Sequence, residues 1–158
     1  MSIEPLPSTG ISKILGLCEV LDDHGGKEDI YRLGQDLYTP FNELLLVVKG
    51  AEMLELVEIA RNEVSVTPLG KRVHNAPMAE KKSLLRAQML QLAVFGHVIK
   101  MLELADGHEI PADVVLERLA VLLPQEEPRQ LFTTLLNWAR YGDVFGYSRE
   151  TDRFILNG

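Results

Sequence analysis

At 158 residues, 46% of them hydrophobic and 25% charged, the chain is long enough for one domain, or two small ones sharing a core, and its make-up excludes wholesale disorder. A net charge of −7 and a pI near 5.1 set it against the phosphate backbone of nucleic acid unless its cations gather on one face. The single cysteine, Cys18, excludes an internal disulfide and suits a reducing compartment.

Residues 1–10 carry Pro5, Pro7 and Gly10 and read as a flexible tail, without the basic and apolar segments of a secretory leader. Ser8 or Thr9 is placed to cap a first helix. In ISKILGLCEVLDD the apolar residues Ile11, Ile14, Leu15, Cys18 and Leu21 recur at intervals of three and four, the helical period. His24-Gly25-Gly26 stops that run, and Cys18 within it reads as a small core residue. KEDIYRLGQDLY predicts a second helix with Ile30, Leu33 and Leu37 inward and Glu28 and Asp29 at its positive end. FNELLLVVKGAEMLEL predicts a third, turning Leu44, Leu45, Val48 and Ala51 to the core. Two short alternating runs, 56–60 and 63–66, flank Arg61-Asn62 as a hairpin. Thr67-Pro68 then opens a short helix over 68–75. Helix, helix, helix, hairpin, helix within residues 11–76 is the order of a winged helix-turn-helix.

The second half, 77–158, is expected to start with one long helix over 79–105. Its centre holds the longest uncharged run, 87–99, which is too short to span a bilayer. DGHEIP reads as a loop, and PADVVLERLAVLL as a helix with Pro111 in its first turn. RQLFTTLLNWARYGDVF is a further helix, with Trp138 and Tyr141 as core anchors. In the last segment Phe145 and Tyr147 are expected to pair with Phe154 and Leu156 across an SRETD turn. The predicted fold class is mainly α with small β-hairpins: two winged-helix-like lobes joined by a long central helix.

Sequence-specific DNA binding needs cations on and near the recognition helix. The helix in that place, 41–54, offers Lys49 against Glu43 and Glu52, among leucines and valines. If DNA were bound, the contacts would fall to Lys49, Arg61, Lys71 and Arg72, a thin and scattered set. The four histidines, His24, His74, His97 and His108, show no zinc-type helical spacing, and there is no second cysteine. Asp106, His108 and Glu109 share a loop but read as a polar turn. No Gly-rich phosphate loop and no nucleophile elbow occur. The expectation is a non-enzyme with no cofactor and no metal.

An interaction surface is better supported. In the helix expected over 79–105, Leu85, Met89, Leu92, Phe95, Ile99 and Leu102 make one stripe, while Leu90, Val94, Met101 and Leu104 make another. A helix apolar on two faces must bury both. Leu85, Met89, Leu92, Phe95, Gly96 and Ile99 are therefore the candidate contact residues, with a second copy of the chain as one occupant and Gly96 allowing close approach.

Three segments, LGLCEVLDDHGGKEDIYRLGQDL, VSVTPLGKRV and LLNWARYGDVFGYSRETDRFIL, taken in their order and spacing, resemble the AAA-associated C-terminal domain. That domain follows the ATP-binding cassette in some ATPase subunits of nitrate/sulfonate/bicarbonate-type ABC transporters. The resemblance runs from about residue 11 to 156 and implies an accessory, regulatory or interaction domain beside a transporter ATPase. It implies an ABC-type ATPase as partner and a cytoplasmic location, peripheral to the inner membrane through the transporter, without insertion into the bilayer. It supplies no catalytic residues. The 158 residues contain no Walker A loop and no cassette signature motif, so the chain is expected to be either an excised domain or a stand-alone homologue.

Overall fold

A computed structural model of the chain describes residues 3–156. Contacts divide it into two compact units, residues 9–85, and residues 86 onward together with the N-terminal segment up to Ser8. The division falls between Leu85 and Arg86, within a helix, rather than at residue 76. The N-terminal segment, expected as a free tail, buries Leu6 and Pro7 in the second unit.

The first unit opens with α1 (Ile11–Asp23), which buries Ile11, Ile14, Leu17, Cys18 and Leu21. Leu17 takes the inward place that periodicity assigns to Leu15, and the N-cap is Gly10, with no side-chain cap bond, rather than Ser8 or Thr9. Gly25 and Gly26 turn the chain with φ of 80° and 97°, left-handed values that glycine adopts without strain. That turn converts Lys27–Asp29, expected as the start of a helix, into a short strand, β1. Asp29 then caps α2 (Ile30–Asp36) by accepting from the amides of Tyr31 and Arg32. A carboxylate there satisfies two orphan donors at the positive end of the dipole. After α3 (Phe41–Met53) come β2 (Val57–Ala60) and β3 (Glu63–Val66), then α4 (Pro68–Asn75). The three strands form an antiparallel sheet in the order β1-β3-β2, and α1 packs on α3, α4 and β3.

Thr67 joins the sheet to α4 in two ways. Its Oγ1 accepts from the Gly70 amide at 2.9 Å and donates to the Glu55 carbonyl at 2.7 Å, with Pro68 at the first helical position. The start of α4 is thereby held against the turn between α3 and β2: a Cβ on Gly70 would lie 2.2 Å from the Leu56 carbonyl oxygen.

In the second unit α6 (Ala93–Leu104) leads through a 3-10 turn at Asp106–His108 into β4 (Glu109–Pro111), then α7 (Ala112–Leu122) and α8 (Pro128–Gly142), then β5 (Gly146–Ser148) and β6 (Arg153–Ile155). β4 lies where a loop was expected, and Pro111 is the N-cap of α7 rather than a residue of its first turn. The sheet order is β4-β6-β5, with Tyr147 opposite Phe154 as the hairpin pattern predicts. The core is aromatic: Trp138 and Phe145 flank Phe95 at centroid distances of 6.5 and 6.2 Å, and Phe154 lies 5.1 Å from Phe145. Trp138 is fully buried and Tyr141 half-buried.

The two units repeat one design down to single hydrogen bonds. The first residue of the second helix donates to the hairpin turn in each, Ile30 to the Asn62 carbonyl (2.7 Å) and Ala112 to that of Asp152 (2.9 Å). At the end of the last strand an amide donates to the left-handed corner, Val66, the final residue of β3, to Gly26 (2.8 Å) and Leu156, just past β6, to His108 (2.9 Å). The third helix closes alike, Leu56 to Ala51 and Val144 to Ala139, both at 2.9 Å. The fillings differ. At matching places in the third helix and the sheet, Gly50, Val57 and Val64 of the first unit stand where the second has Trp138, Phe145 and Phe154.

One long helix over 79–105 does not exist. α5 (Met78–Met89) and α6 are separated at Leu90–Leu92. The amides of Gln91 and Leu92 bond only three residues back, to Gln88 and Met89, and Leu92 is extended at φ −82°, ψ 133°. Leu and Gln favour helix, so the break is not a matter of propensity. A straight helix apolar on two faces would leave one in water. The break lets α6 turn Val94, Phe95, Val98 and Leu102 into one core.

Candidate interaction surface

The six residues assigned to a contact seam on a single helix are dispersed by that break. Leu85, Met89 and Phe95 are fully buried within the chain, Leu92 and Ile99 are half-buried, and Gly96 alone is exposed. A Cβ added to Gly96 would meet nothing within 4 Å.

Two of the four cations named for DNA contact lie beside carboxylates. Lys49 Nζ lies 3.7 Å from Glu52 Oε1 one turn along α3, and Arg72 donates through Nη2 to Glu80 Oε1 at 3.1 Å. Arg61 is exposed at the hairpin tip, with a positive φ of 58°. Lys71 is exposed on α4, its Cε 3.8 Å from where a Gly26 Cβ would stand. Cations held by neighbouring carboxylates have less charge to offer phosphates.

An apolar surface instead lies on α2 and α3. Tyr31 is 58% exposed, and Phe41 and Leu45 are 44% exposed each. The Tyr31 and Phe41 rings stack at 5.2 Å with planes 9° apart. Leu46 is also exposed, and Tyr38, between the helices, is 96% exposed with a φ of 51°. The helical period explains the arrangement. Leu44, Val47, Val48 and Ala51 fill the inward stripe, so Phe41, Leu45, Lys49 and Glu52, spaced four, four and three, share the outward one. Sequence reasoning placed Leu45 inside and gave Tyr31 and Phe41 no role. The available signal was numerical: five consecutive apolar residues, 44–48, exceed what one helix stripe accommodates.

His24, the C-cap of α1, sits between two carboxylates: its Nδ1 is 3.0 Å from Glu28 Oε2 and 3.5 Å from Asp36 Oδ2. The hydrogen bond to Glu28 raises the His24 pKa, helped by the nearby negative charges. The same bond, then the Asp29 amide, lowers that of Glu28. Their ligand-type atoms, with that of Asp36, lie within 4.8 Å of one another, and ion pairing accounts for the grouping. The sequence offered a different trio, Asp106, His108 and Glu109. There Glu109 is bound to Arg153 Nε at 3.0 Å. Cys18 is fully buried, and burial pushes its thiol pKa up to about 12, far from the activated thiolate range. Among the described residues no helix is long and apolar enough to cross a membrane.

Residues 31–148, from the second residue of α2 to the last of β5, match the family model described as the C-terminal AAA-associated domain. Neither the curated proteins nor the solved structures contain a match to the chain.

Proposed function

Taking as premise that the chain belongs to the family of C-terminal AAA-associated domains, we propose that it is a non-catalytic accessory and regulatory module that docks on an ATPase of the ABC-transporter type and modulates it. Family membership points to an accessory domain of an AAA-type protein. The ABC-transporter setting follows from the sequence resemblance. The observation that carries the docking role is the exposed Tyr31–Phe41–Leu45 surface on α2 and α3. Exposed apolar side chains gathered on one face mark contact sites more often than scattered ones do.

Each unit is winged-helix-like in this reading: helix, strand, helix, helix and a two-stranded wing, repeated. In such a domain α3 would be the recognition helix. Here its outward stripe is Phe41, Leu45, Lys49 and Glu52, which suits a protein surface and not a duplex. A second copy of the chain is the competing partner, and it would have to meet exposed positions such as Gly96 rather than the buried Leu85, Met89 and Phe95.

Affinity capture with the cognate ATPase, together with its rate of ATP hydrolysis, tests the proposal. Capture and a changed rate are expected, and both are lost when Phe41 and Leu45 become Asp. No capture and no effect on hydrolysis would overturn it. The DNA alternative predicts salt-dependent binding that weakens when Lys71 and Arg72 become Glu; no binding at low salt removes it.

A further inference from the structure

The sheet of the first unit ends in an open strand. The order β1-β3-β2 places β2 at an edge. The Thr67 amide donates to the Leu56 carbonyl across the β2–β3 ladder. Because antiparallel backbone groups alternate in direction, Leu56, Glu58 and Ala60 face β3, while the N–H and C=O groups of Val57 and Ile59 face away from it. Exposed edges with unpaired backbone groups template the addition of another strand.

A groove of about 610 Å³ runs beside this edge. Val57 and Ile59 point to one face of the sheet, Glu58 and Ala60 to the other, yet all four line the groove. It therefore follows the edge of the strand and not one face of it. Its walls combine three carboxylates, Glu52, Glu55 and Glu58, with the apolar Ile59 and Leu69, and no Lys or Arg lines it. Glu55 is held there at a φ of 62°, with its carbonyl tied to the Thr67 hydroxyl. A non-glycine residue kept in the left-handed region is a feature that surrounding structure must enforce.

We infer that the β2 edge binds an extended protein segment of alternating cationic and apolar residues by strand addition. The outward N–H and C=O of Ile59, which is exposed, supply the backbone bonds, and Val57 beside it is buried. Glu58, with Glu55 near it, receives the cations, Glu52 being paired with Lys49, and Ile59 and Leu69 receive the apolar side chains. Acidic walls select a basic partner and repel nucleic acid. The site goes beyond the ATPase docking proposed for α2 and α3 and does not depend on it.

The probe is a short, fluorescently labelled peptide of alternating lysine and valine, added to the full chain and followed by fluorescence anisotropy at low salt. Binding is expected, with shifts of the Val57 and Ile59 amides in a two-dimensional NMR spectrum. The same peptide with glutamate for lysine, or with methylated backbone amides, binds about tenfold more weakly or not at all. Glu58→Lys, an exposed change, weakens the lysine peptide about threefold to tenfold. Ile59→Pro removes an outward N–H, a substitution tolerated at edges, and abolishes binding while circular dichroism stays that of the parent. The inference is overturned if the lysine peptide does not bind, if the glutamate or methylated peptide binds equally well, or if Glu58→Lys leaves affinity unchanged. No ATPase is present in this experiment, so either result leaves docking through α2 and α3 untouched.

Discussion

Tyr31 and Phe41, at the starts of two successive helices, stack face to face at 5.2 Å and remain substantially open to solvent. An aromatic pair contributes about 0.5–1.5 kcal/mol beyond its burial. Two rings held parallel at the surface, with Leu45 one turn further along α3, offer a partner a rigid apolar platform with little rotamer entropy left to lose.

That platform implies a contrast between adjacent leucines. Leu44 is fully buried and Leu45 exposed. Leu44→Ala is expected to lower the unfolding free energy by about 2–5 kcal/mol, and Leu45→Ala to change it by about 0.5 kcal/mol or less. Denaturant unfolding of the two variants checks this, and equal losses would contradict the outward placement of the platform.

Two buried glycines should respond differently to the same methyl group. At Gly70 an added Cβ meets the Leu56 carbonyl oxygen at 2.2 Å and Val66 Cγ2 at 2.6 Å. Backbone cannot step aside, so Gly70→Ala should destabilise by about 1–3 kcal/mol. At Gly142 the nearest atom is Met89 Sδ, at 2.8 Å. A flexible thioether can move, so Gly142→Ala should cost less. The order of the two melting temperatures is the readout.

The His24–Glu28 pair makes stability depend on pH. His24 holds its proton more tightly folded than unfolded. Its contribution is complete below the ordinary value of 6.5 and disappears as pH rises through the higher folded value. Glu28 behaves oppositely: its contribution is present above 4.5 and disappears as pH falls through the lower folded value. The pair therefore supports the fold most between those two values. NMR titration of His24 should give a midpoint above 6.5, and His24→Ala should lower the melting temperature within this window and remove the loss of stability that the parent shows as pH rises above 6.5. A midpoint at or below 6.5 would count against the pairing.

Cys18 should be chemically silent in the native protein. With its thiol pKa pushed up to about 12 and no exposed surface, it reacts only through opening of the first unit. Labelling with a thiol reagent near neutral pH should be about a thousandfold slower than in denaturant. Rapid native labelling would show that α1 opens readily.

The helices α1, α3, α4, α7 and α8, the Arg61-Asn62 hairpin, the Thr67-Pro68 helix start and the pairing of Tyr147 with Phe154 were legible because each rests on local period or turn chemistry. The strands β1 and β4 were not. Each is three residues long, with no alternation to read, and exists because a left-handed corner delivers it to a partner strand far along the chain. The exposed platform was missed for a related reason. In LLLVV every residue is apolar, and composition does not say which of them faces out.

The sequence by itself determined that the chain is mainly helical, that hairpins fall within 56–66 and 145–157, and to which family it belongs, since these depend on residue order and spacing. Only the tertiary structure decided where the apolar helix over 79–105 breaks, because Leu90, Gln91 and Leu92 all favour helix and only the burial of two faces demands the interruption. It also decided that Leu85, Met89 and Phe95 are core and that Tyr31, Phe41 and Leu45 are surface. Solvent exposure is a property of what packs against a residue, and that is settled by contacts between segments distant in the chain.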